Sequence, residues 1–366
     1  MSKRTLNVAT VGSGFIANVH SNAFRQAAHF FDIPYDICCQ VICGRNQTTL
    51  QETATRWSWN ETETDWQKVV IRDDIDIIDI AVPNSLHSTI AIAAAEAGKI
   101  VLCEKPLASS VEDAETMMKA VKRTPNAVWF NYRRVPAVVL AKQFITEGRL
   151  GKIFHYRALY LNQSGNDPSK GNSWRYKRSE AGTGAAGDLL SHSLDLALYL
   201  NGSIKELTAI MHTFAPNRDV DDATLLLARF ANGSIGTFEA SRYGVGCPNR
   251  NSFEINGSKG MLSFSLDEMN QLDFFDATES QESQGVRRIS ATARDHPYGT
   301  NFWKPGHVLG YEHPFIATFA DFLNSVAREE PFHANFEDAL AVQRLLDAVE
   351  RSATSRAWVN VDGSAS

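Results

Sequence analysis

The chain has 366 residues, 43% of them hydrophobic, and a formal net charge of −6. Because a single core stops growing beyond about 250–300 residues, we expect two domains. The mildly acidic balance and the lack of a long basic stretch argue against a nucleic-acid partner. No run approaches the ~20 apolar residues that span a membrane, and the N-terminus has no signal-peptide core, so we expect a cytoplasmic protein without a membrane partner.

The cysteines form no recognisable disulfide or zinc pattern. Their number is odd, no two are spaced as C-x-x-C, and four of them lie in or beside apolar strand-like runs. We therefore expect buried reduced thiols and no metal site. The five are Cys38, Cys39, Cys43, Cys103 and Cys247.

The first 130 residues alternate strand-like and helical segments. Near-continuous apolar strands suit a parallel sheet that is covered on both faces. The pattern predicts an α/β domain with a doubly wound parallel sheet over residues 1–132. The predicted strands are Leu6–Val11, Tyr35–Cys43, Ile75–Val82, Ile100–Cys103 and Ala127–Tyr132, and the clearest helices are Ser85–Ala97 and Val111–Arg123.

The remaining residues, 133–366, predict an α+β domain with a large, mostly antiparallel open sheet and helices on one side. Polar loops are expected at Asn162–Glu180 and Thr278–Arg294. The predicted helices are Pro136–Glu147, Asp188–Leu200, Pro314–Ala327 and Phe336–Ser352; the strands are Ile153–Leu161, Lys205–Phe214, Ala223–Phe230, Ser234–Ala240, Asn251–Ile255, Gly260–Ser265 and Leu272–Phe275.

A glycine-rich turn follows the first strand and has the pattern of a dinucleotide-binding site. Gly12 permits a sharp turn, and Gly14 has no Cβ to keep the backbone from a pyrophosphate. The helix that begins near Phe15 and Ile16 then presents free N–H groups and the positive end of its dipole to the phosphates.

The end of the second strand bears on the choice of coenzyme. NAD enzymes commonly place a carboxylate there to bind the ribose 2′-hydroxyl. This chain has Gly44 followed by Arg45, and an arginine can pair with a 2′-phosphate or stack on adenine. The missing carboxylate therefore favours NADP over NAD.

Further polar clusters follow strands or lie on a helix. Doubly wound sheets bind ligands at the carboxyl ends of their strands, where Asn84 and Lys105 are expected. Asp188 and His192 are four residues apart, so they share one face of a helix. The motifs, in chain order, are Gly12-x-Gly14-x-x-Ala17, Pro83-Asn84-x-x-His87, Glu104-Lys105-Pro106 and Gly184-x-x-x-Asp188-x-x-x-His192.

Together these motifs resemble the glucose–fructose oxidoreductase / inositol dehydrogenase / rhizopine catabolism (Gfo/Idh/MocA) family of NAD(P)-dependent oxidoreductases. The resemblance implies an N-terminal Rossmann domain, a C-terminal domain with a large open sheet, and a homodimer or homotetramer. It implies Lys105 and His192 as the catalytic pair with Asp188 beside them. It also places at the cofactor the residues Pro83, Asn84, His87, Glu104 and Lys105.

Two further segments are similar to a sugar- and cyclitol-oxidising branch of that family, which includes levoglucosan and scyllo-inositol dehydrogenases. They are Trp174-Arg175 and Trp303-Lys-Pro-Gly-His307. A polyhydroxylated substrate needs several hydrogen-bonding side chains, and an aromatic ring in a polar loop suits stacking on a sugar. The candidate substrate residues are Tyr132, Arg133, Asn162, Gln163, Trp174, Arg175, Asp188, His192 and His307.

The chemistry of alcohol oxidation explains the catalytic pair. A proton must leave the oxygen as hydride leaves the carbon, and a neutral imidazole with a pKa near 6.5 accepts it well. An ammonium group stabilises the developing alkoxide. We assign His192 as the base and Lys105 as the cation, with Asp188 orienting His192 or binding a neighbouring hydroxyl.

Each assignment has a purely structural alternative. Lys105 could be a surface lysine, His192 a core histidine and Asp188 a carboxylate favoured by a helix dipole. We interpret Asp195 as structural, and Arg133 either reaches the substrate or forms an interdomain salt bridge.

The function predicted from the sequence is an NAD(P)-dependent oxidoreductase acting on a ring secondary alcohol or ketone of a sugar, sugar derivative or cyclitol. Two alternatives keep the fold. One is a glycoside hydrolase that uses tightly held NAD transiently, and the other is a dinucleotide-binding sensor without chemistry.

Overall fold

The computed structural model describes residues 3–167, 173–216 and 218–364. Residues 168–172, inside the predicted polar loop, lie outside the described residues. The chain divides into a first unit, Met1–Asn131 with Tyr311–Leu340, and a second unit, Tyr132–Gly310 with Ala341–Ser366. The sequence analysis divided the chain once, after residue 132, and expected the last helix to pack back on the first domain. The later segment grouped with the first unit, Tyr311–Leu340, contains the whole helix His313–Ala327 but only the first residues of the last helix, Phe336–Ser355.

The strands follow the predicted order, with three that were not predicted: the third, the fourteenth and the fifteenth along the chain. They are β1 (Arg4–Val11), β2 (Tyr35–Cys43), β3 (Glu61–Glu63), β4 (Ile77–Ile80), β5 (Ile100–Cys103), β6 (Asn126–Val128), β7 (Ile153–Leu161), β8 (Ile204–His212), β9 (Ala223–Phe230), β10 (Ile235–Ser241), β11 (Arg250–Gly257), β12 (Gly260–Ser265), β13 (Gln271–Asp276), β14 (Val286–Ser290) and β15 (Val359–Asn360).

Ten α-helices connect and cover these strands in the described part of the chain. None of the helices described is both long and apolar enough to cross a membrane. They are α1 (Phe15–Phe30), α2 (Gln47–Trp57), α3 (Trp66–Val70), α4 (His87–Glu96), α5 (Val111–Ala120), α6 (Pro136–Thr146), α7 (Arg178–Ala181), α8 (Ser191–Asn201), α9 (His313–Ala327) and α10 (Phe336–Ser355).

The first unit contains a six-stranded parallel sheet in the order β3-β2-β1-β4-β5-β6. All four residues of β4 are buried, as expected for a strand covered on both faces. The predicted doubly wound parallel sheet is confirmed. Because the strands are parallel, their carboxyl ends share one edge, and the loops that begin at Gly12, Gly44, Ala81 and Glu104 all start there.

The second unit contains a nine-stranded sheet in the order β14-β13-β12-β11-β7-β10-β9-β8-β15. Every neighbouring pair is antiparallel except β7 and β10. Buried and exposed residues alternate along β9, so one face of the sheet is packed and the other is open in the unit. The predicted large, mostly antiparallel open sheet is confirmed.

Two local predictions were wrong. The segment Thr278–Arg294 was expected to be a loop, yet it contains β14, an edge strand whose residues are mostly exposed and lack apolar alternation. The predicted strand Ala127–Tyr132 ends at Val128, and its later apolar residues are buried without extending the strand. The residues after Val128 are apolar because they are buried, and not because they belong to a strand.

The glycine turn after β1 has the backbone shape that the motif predicts. Gly12 has φ +133°, and a Cβ added there would lie 2.2 Å from the Ala81 carbonyl oxygen. A Cβ on Gly14 would meet no atom within 4 Å. The first glycine therefore permits close packing against the chain after β4, while the second leaves open space.

We expect Gly12→Ala to lower the free energy of unfolding by about 3 kcal/mol or more, because it combines a forbidden φ with a backbone collision. Gly98→Ala is the matched control, since Gly98 also has a positive φ (+72°) but its added Cβ would meet nothing within 4 Å. The control should cost only about 1 kcal/mol. Urea unfolding measures both, and equal losses would contradict the collision.

Candidate functional site

The glycine-rich turn that contains Gly12 and Gly14, which we call the nucleotide turn, connects β1 to helix α1. The Gly12 amide donates to the Cys43 carbonyl (2.8 Å), which fixes the turn against β2. Gly14 is the N-cap of α1, and no side-chain cap is found among the described residues. The first amides of α1 and the open space at Gly14 thus fit a pyrophosphate. Phe15 is 72% exposed, and Ile16 is half-buried.

Gly44 lies behind this turn. A Cβ on Gly44 would lie 2.9 Å from the Ser13 hydroxyl, so glycine permits the close approach of the two loops. The Gly44 amide donates to the Glu63 carbonyl (3.1 Å) of β3. Arg45 follows with an exposed side chain, which leaves its guanidinium accessible to a coenzyme.

His87 connects two of the predicted cofactor loops. It is fully buried; its Nε2 lies 3.0 Å from the Val82 carbonyl oxygen, and its Nδ1 lies 3.1 Å from that of Pro106. Burial lowers the pKa of His87. A neutral imidazole can donate to only one of these two carbonyls, so His87 packs between the two loops, the one that contains Pro83 and the buried Asn84 and the one that contains Lys105, and hydrogen-bonds to one of them.

A buried polar cluster that the sequence analysis missed lies beneath Lys105. His20 of helix α1 is inaccessible to solvent, with Nδ1 3.0 Å from Asp79 Oδ2 and Nε2 3.0 Å from Glu104 Oε1. The Trp129 indole donates to Asp79 Oδ1 (2.9 Å), and the Lys105 amide donates to Glu104 Oε2 (3.1 Å). The residue before the proposed catalytic lysine is thus part of an extended hydrogen-bond network.

Aromatic rings enclose the imidazole of His20. The Trp129 ring stacks on it at 4.0 Å, and Phe315 and Phe24 lie at 5.8 and 6.3 Å. Burial by itself lowers the pKa of His20, but Asp79 and Glu104 more than offset this and raise it to about 9. The imidazole is therefore protonated at neutral pH.

In the second unit, a carboxylate holds the turn that carries Asp188. Asp221 accepts hydrogen bonds from the amides of Gly184 (2.6 Å) and Ala186 (2.8 Å) and from the hydroxyl of Thr224 (2.8 Å). A Cβ on Gly184 would lie 1.8 Å from the Asp221 carbonyl oxygen. This explains why the motif begins with glycine.

The helix predicted from Asp188 begins differently from the expectation. Ala186–Leu190 form one turn of π-helix, which continues as helix α8. Single π turns occur often at functional sites. The side chain of Asp188 is 26% exposed, whereas His192 is buried.

Two arginines flank the Asp188 carboxylate. Arg242 Nη2 donates to Asp188 Oδ2 (3.1 Å) although its own side chain is only 2% exposed, and Arg175 Nε lies 4.0 Å from Asp188 Oδ1. Arg242 also donates to the Arg175 carbonyl (3.1 Å). A buried guanidinium therefore compensates the charge of Asp188 and fixes the loop beside it.

Two tyrosines lie beside His192. The Tyr132 and Tyr160 hydroxyls are 3.0 Å apart, and the ring of His192 lies 4.7 Å from that of Tyr132 and 5.8 Å from that of Tyr160. Burial raises the pKa of Tyr132 well above its usual range, and Asp188 adds to this effect. The structure thus brings Tyr132, Asp188 and His192 together.

Arg133 is buried and paired within the second unit. Its Nε and Nη2 donate to the carboxylate of Asp195, with the shortest distance 2.6 Å, and its guanidinium lies over the Tyr199 ring. Asp195 is 1% exposed. The ion pair joins two residues of the second unit, so it is not the predicted interdomain salt bridge, and a role of Arg133 toward the substrate stays a prediction.

The other predicted substrate residues stabilise nearby loops. Asn162 Oδ1 accepts from the Ser164 amide (3.1 Å) and Gln163 Oε1 from the Gly246 amide (3.2 Å). Trp174 is half-buried, and the Arg175 guanidinium lies 4.6 Å from its ring centroid. His307 is exposed, with Nδ1 2.9 Å from the Lys304 carbonyl. Their roles toward a substrate stay predictions.

Sequence reasoning missed His20, Asp79, Tyr160 and Arg242. Tyr160 had a detectable signal, since it alternates with Tyr156 and Ala158 on the buried face of β7. Asp79 also had one, because a charged residue inside an apolar strand needs a buried partner. Arg242 had no local signal, because its partner Asp188 is 54 residues away.

Family comparisons match both units. The family model described as an oxidoreductase family with an NAD-binding Rossmann fold matches residues 6–132. The model described as a GFO/IDH/MocA C-terminal domain matches residues 138–263.

Individual relatives match over nearly the whole chain. Levoglucosan dehydrogenase of Pseudarthrobacter phenanthrenivorans is 36% identical, and the match covers 98% of each chain. The crystal structure of an oxidoreductase domain protein from Kribbella flavida is 42% identical with a TM-score of 0.94, covering 98% of this chain and 99% of that one. A levoglucosan dehydrogenase complex with NADH and levoglucosan is 38% identical with a TM-score of 0.95 at the same coverage.

The raised pKa of His20 predicts a pH dependence of stability. The stabilisation is fully present below the unfolded pKa of 6.5 and is lost as pH rises through about 9. A shift of this size corresponds to about 3 kcal/mol. We expect the melting temperature of the wild type to fall across this window and that of His20→Gln to fall less. His29→Gln, an exposed position on the same helix, is the control and should behave as the wild type.

Proposed function

Because the chain belongs to the Gfo/Idh/MocA family of oxidoreductases, we propose that it is an NAD(P)-dependent dehydrogenase of a sugar, sugar derivative or cyclitol. The reaction moves a hydride between nicotinamide and a ring secondary alcohol or its ketone. The observation that carries this proposal is the turn at Gly184–His192, where a carboxylate, an imidazole and the hydroxyl of Tyr132 lie together. The similarity to levoglucosan dehydrogenase supports a polyhydroxylated substrate.

The amides at the start of α1 would hold the pyrophosphate of the coenzyme, and Gly14 leaves the space for it. The nicotinamide, when bound, supplies the hydride chemistry. His192 takes the proton of the reacting hydroxyl, and the Lys105 ammonium stabilises the alkoxide that develops. Asp188 accepts a hydrogen bond from a neighbouring substrate hydroxyl and, because Arg242 compensates its charge, it can do so in a partly buried position.

We expect reduced nicotinamide to form with at least one of a panel of inositols, glucose, glucosides and levoglucosan. Lys105→Ala and His192→Ala should each lower kcat at least ~100-fold, because each removes a group that stabilises charge or moves a proton in the transition state. Absorbance of the reduced coenzyme measures turnover, and quenching of tryptophan fluorescence measures coenzyme binding, which both variants should keep. Lys119→Ala, at an exposed position of α5, is the control and should match the wild type.

Other outcomes of this assay separate the alternatives. Bound nicotinamide in the purified protein with glycoside cleavage and no net reduction would support the hydrolase. Coenzyme binding without turnover of any kind would support the sensor. Full activity in both variants would show that the assigned residues are wrong.

The coenzyme preference follows from Arg45 and the missing carboxylate. The solved relative at 38% identity holds NADH, so we expect turnover with NAD. The exposed Arg45 can attract a 2′-phosphate, so NADP should also be accepted. Arg45→Ala should raise KM for NADP about tenfold and KM for NAD less than about threefold. Equal increases would show that Arg45 stacks on adenine instead.

The homo-oligomer and its symmetry stay predictions. The open face of the nine-stranded sheet offers apolar surface for self-association, since Ile210, Leu225 and Leu227 are 69%, 47% and 50% exposed.

A further inference from the structure

The buried cluster beneath Lys105 has a fixed number of protons. Each ring nitrogen of His20 lies 3.0 Å from a carboxylate oxygen, and such a contact is a hydrogen bond only if a proton lies in it. The two contacts therefore hold two protons among three groups. Because Asp79 and Glu104 would each carry one negative charge, the cluster keeps a net charge of −1 inside the first unit.

This arrangement leaves Glu104 no freedom to rotate. One carboxylate oxygen accepts from the His20 ring, and the other accepts from the Lys105 amide at 3.1 Å. The side chain of Glu104 is only 10% exposed, so water cannot easily replace either bond. The orientation of the Lys105 backbone thus depends on the position of His20.

Asp79, the other carboxylate of the cluster, is also held in place by several hydrogen bonds. Asp79 accepts from Thr10 Oγ1 (2.9 Å) and the Trp129 indole (2.9 Å) as well as contacting His20. Trp129 also stacks on the imidazole, so His20 can neither tilt nor shift toward β4. Since His20 belongs to α1, the helix of the nucleotide turn is joined to the loop of the catalytic lysine.

We propose that His20 is a positioning residue, which fixes Glu104 and through it the backbone of Lys105 relative to the nucleotide turn. The proposal rests on the proposed function for its effect on turnover, but its structural part stands without it. His20 would contact neither substrate nor coenzyme. A purely structural role would stabilise the first unit without acting through Lys105 in particular.

The test compares His20→Gln with His29→Gln, the same substitution at an exposed position of α1. Hydrogen–deuterium exchange of the full chain without added coenzyme is measured for the peptide that spans residues 103–108. We expect at least tenfold faster exchange in this peptide for His20→Gln, no change for His29→Gln, and unchanged exchange in the second unit. Unchanged exchange in this peptide would overturn the proposal.

A double-mutant cycle tests the action through Lys105. We expect His20→Gln to lower kcat at least ~30-fold in the wild-type background but less than about threefold in the Lys105→Ala background, because the positioned group is already gone. Equal losses in both backgrounds would overturn the proposal and indicate a structural role. If the wild type oxidises nothing, the proposed function fails, while the exchange experiment still decides the role of His20.

A second variant covers the case in which His20→Gln does not fold. Glu104→Leu keeps a side chain of similar size but has no acceptor for either the His20 ring or the Lys105 amide. It therefore loses both bonds, and we expect the same local rise in exchange and the same non-additivity. Slow exchange in a folded Glu104→Leu variant would contradict the proposal.

Discussion

A carboxylate that is removed from water must be paired, and the candidate site depends on this constraint. In the first unit, Asp79 is completely buried beneath the edge of the sheet where the nucleotide turn and the lysine loop begin. It is kept there by donors from β1, from α1 and from the chain after β6. One buried charge thus sets the positions of three segments that are far apart in the sequence.

The second unit meets the same constraint with backbone amides and arginines. Asp221 accepts hydrogen bonds from backbone amides of the turn that leads to Asp188. Asp195, on helix α8, forms an ion pair with Arg133. Asp188, in contrast to Asp221 and Asp195, keeps a partly exposed carboxylate, although Arg242 lies against it. The buried acids of this region are thus held by their partners, whereas the Asp188 carboxylate keeps some access to solvent.

The sheet architecture could be predicted from the sequence because apolar periodicity is local, as in β2, β7 and β12, whose predicted bounds match the structure. The short polar strands β3 and β14 could not, because their residues pair through the backbone without an apolar face. Gly12 was found from the spacing of its motif, whereas Lys105 and Asp188 were singled out by their places after a strand and on a helix and received their roles from the family resemblance. Their supports were not found, because the partners of Lys105 and Asp188 lie on other strands or helices and only folding brings them together.

The two collisions at glycine have a consequence for the way in which sequences of this fold can change. A Cβ at Gly12 would strike the carbonyl oxygen of Ala81, and one at Gly184 would strike that of Asp221. In both cases the obstructing atom belongs to the main chain, which every amino acid shares. No second-site replacement at residue 81 or 221 can make room, so these glycines have no simple genetic suppressor. Another residue can replace glycine at either position only after the neighbouring backbone has shifted.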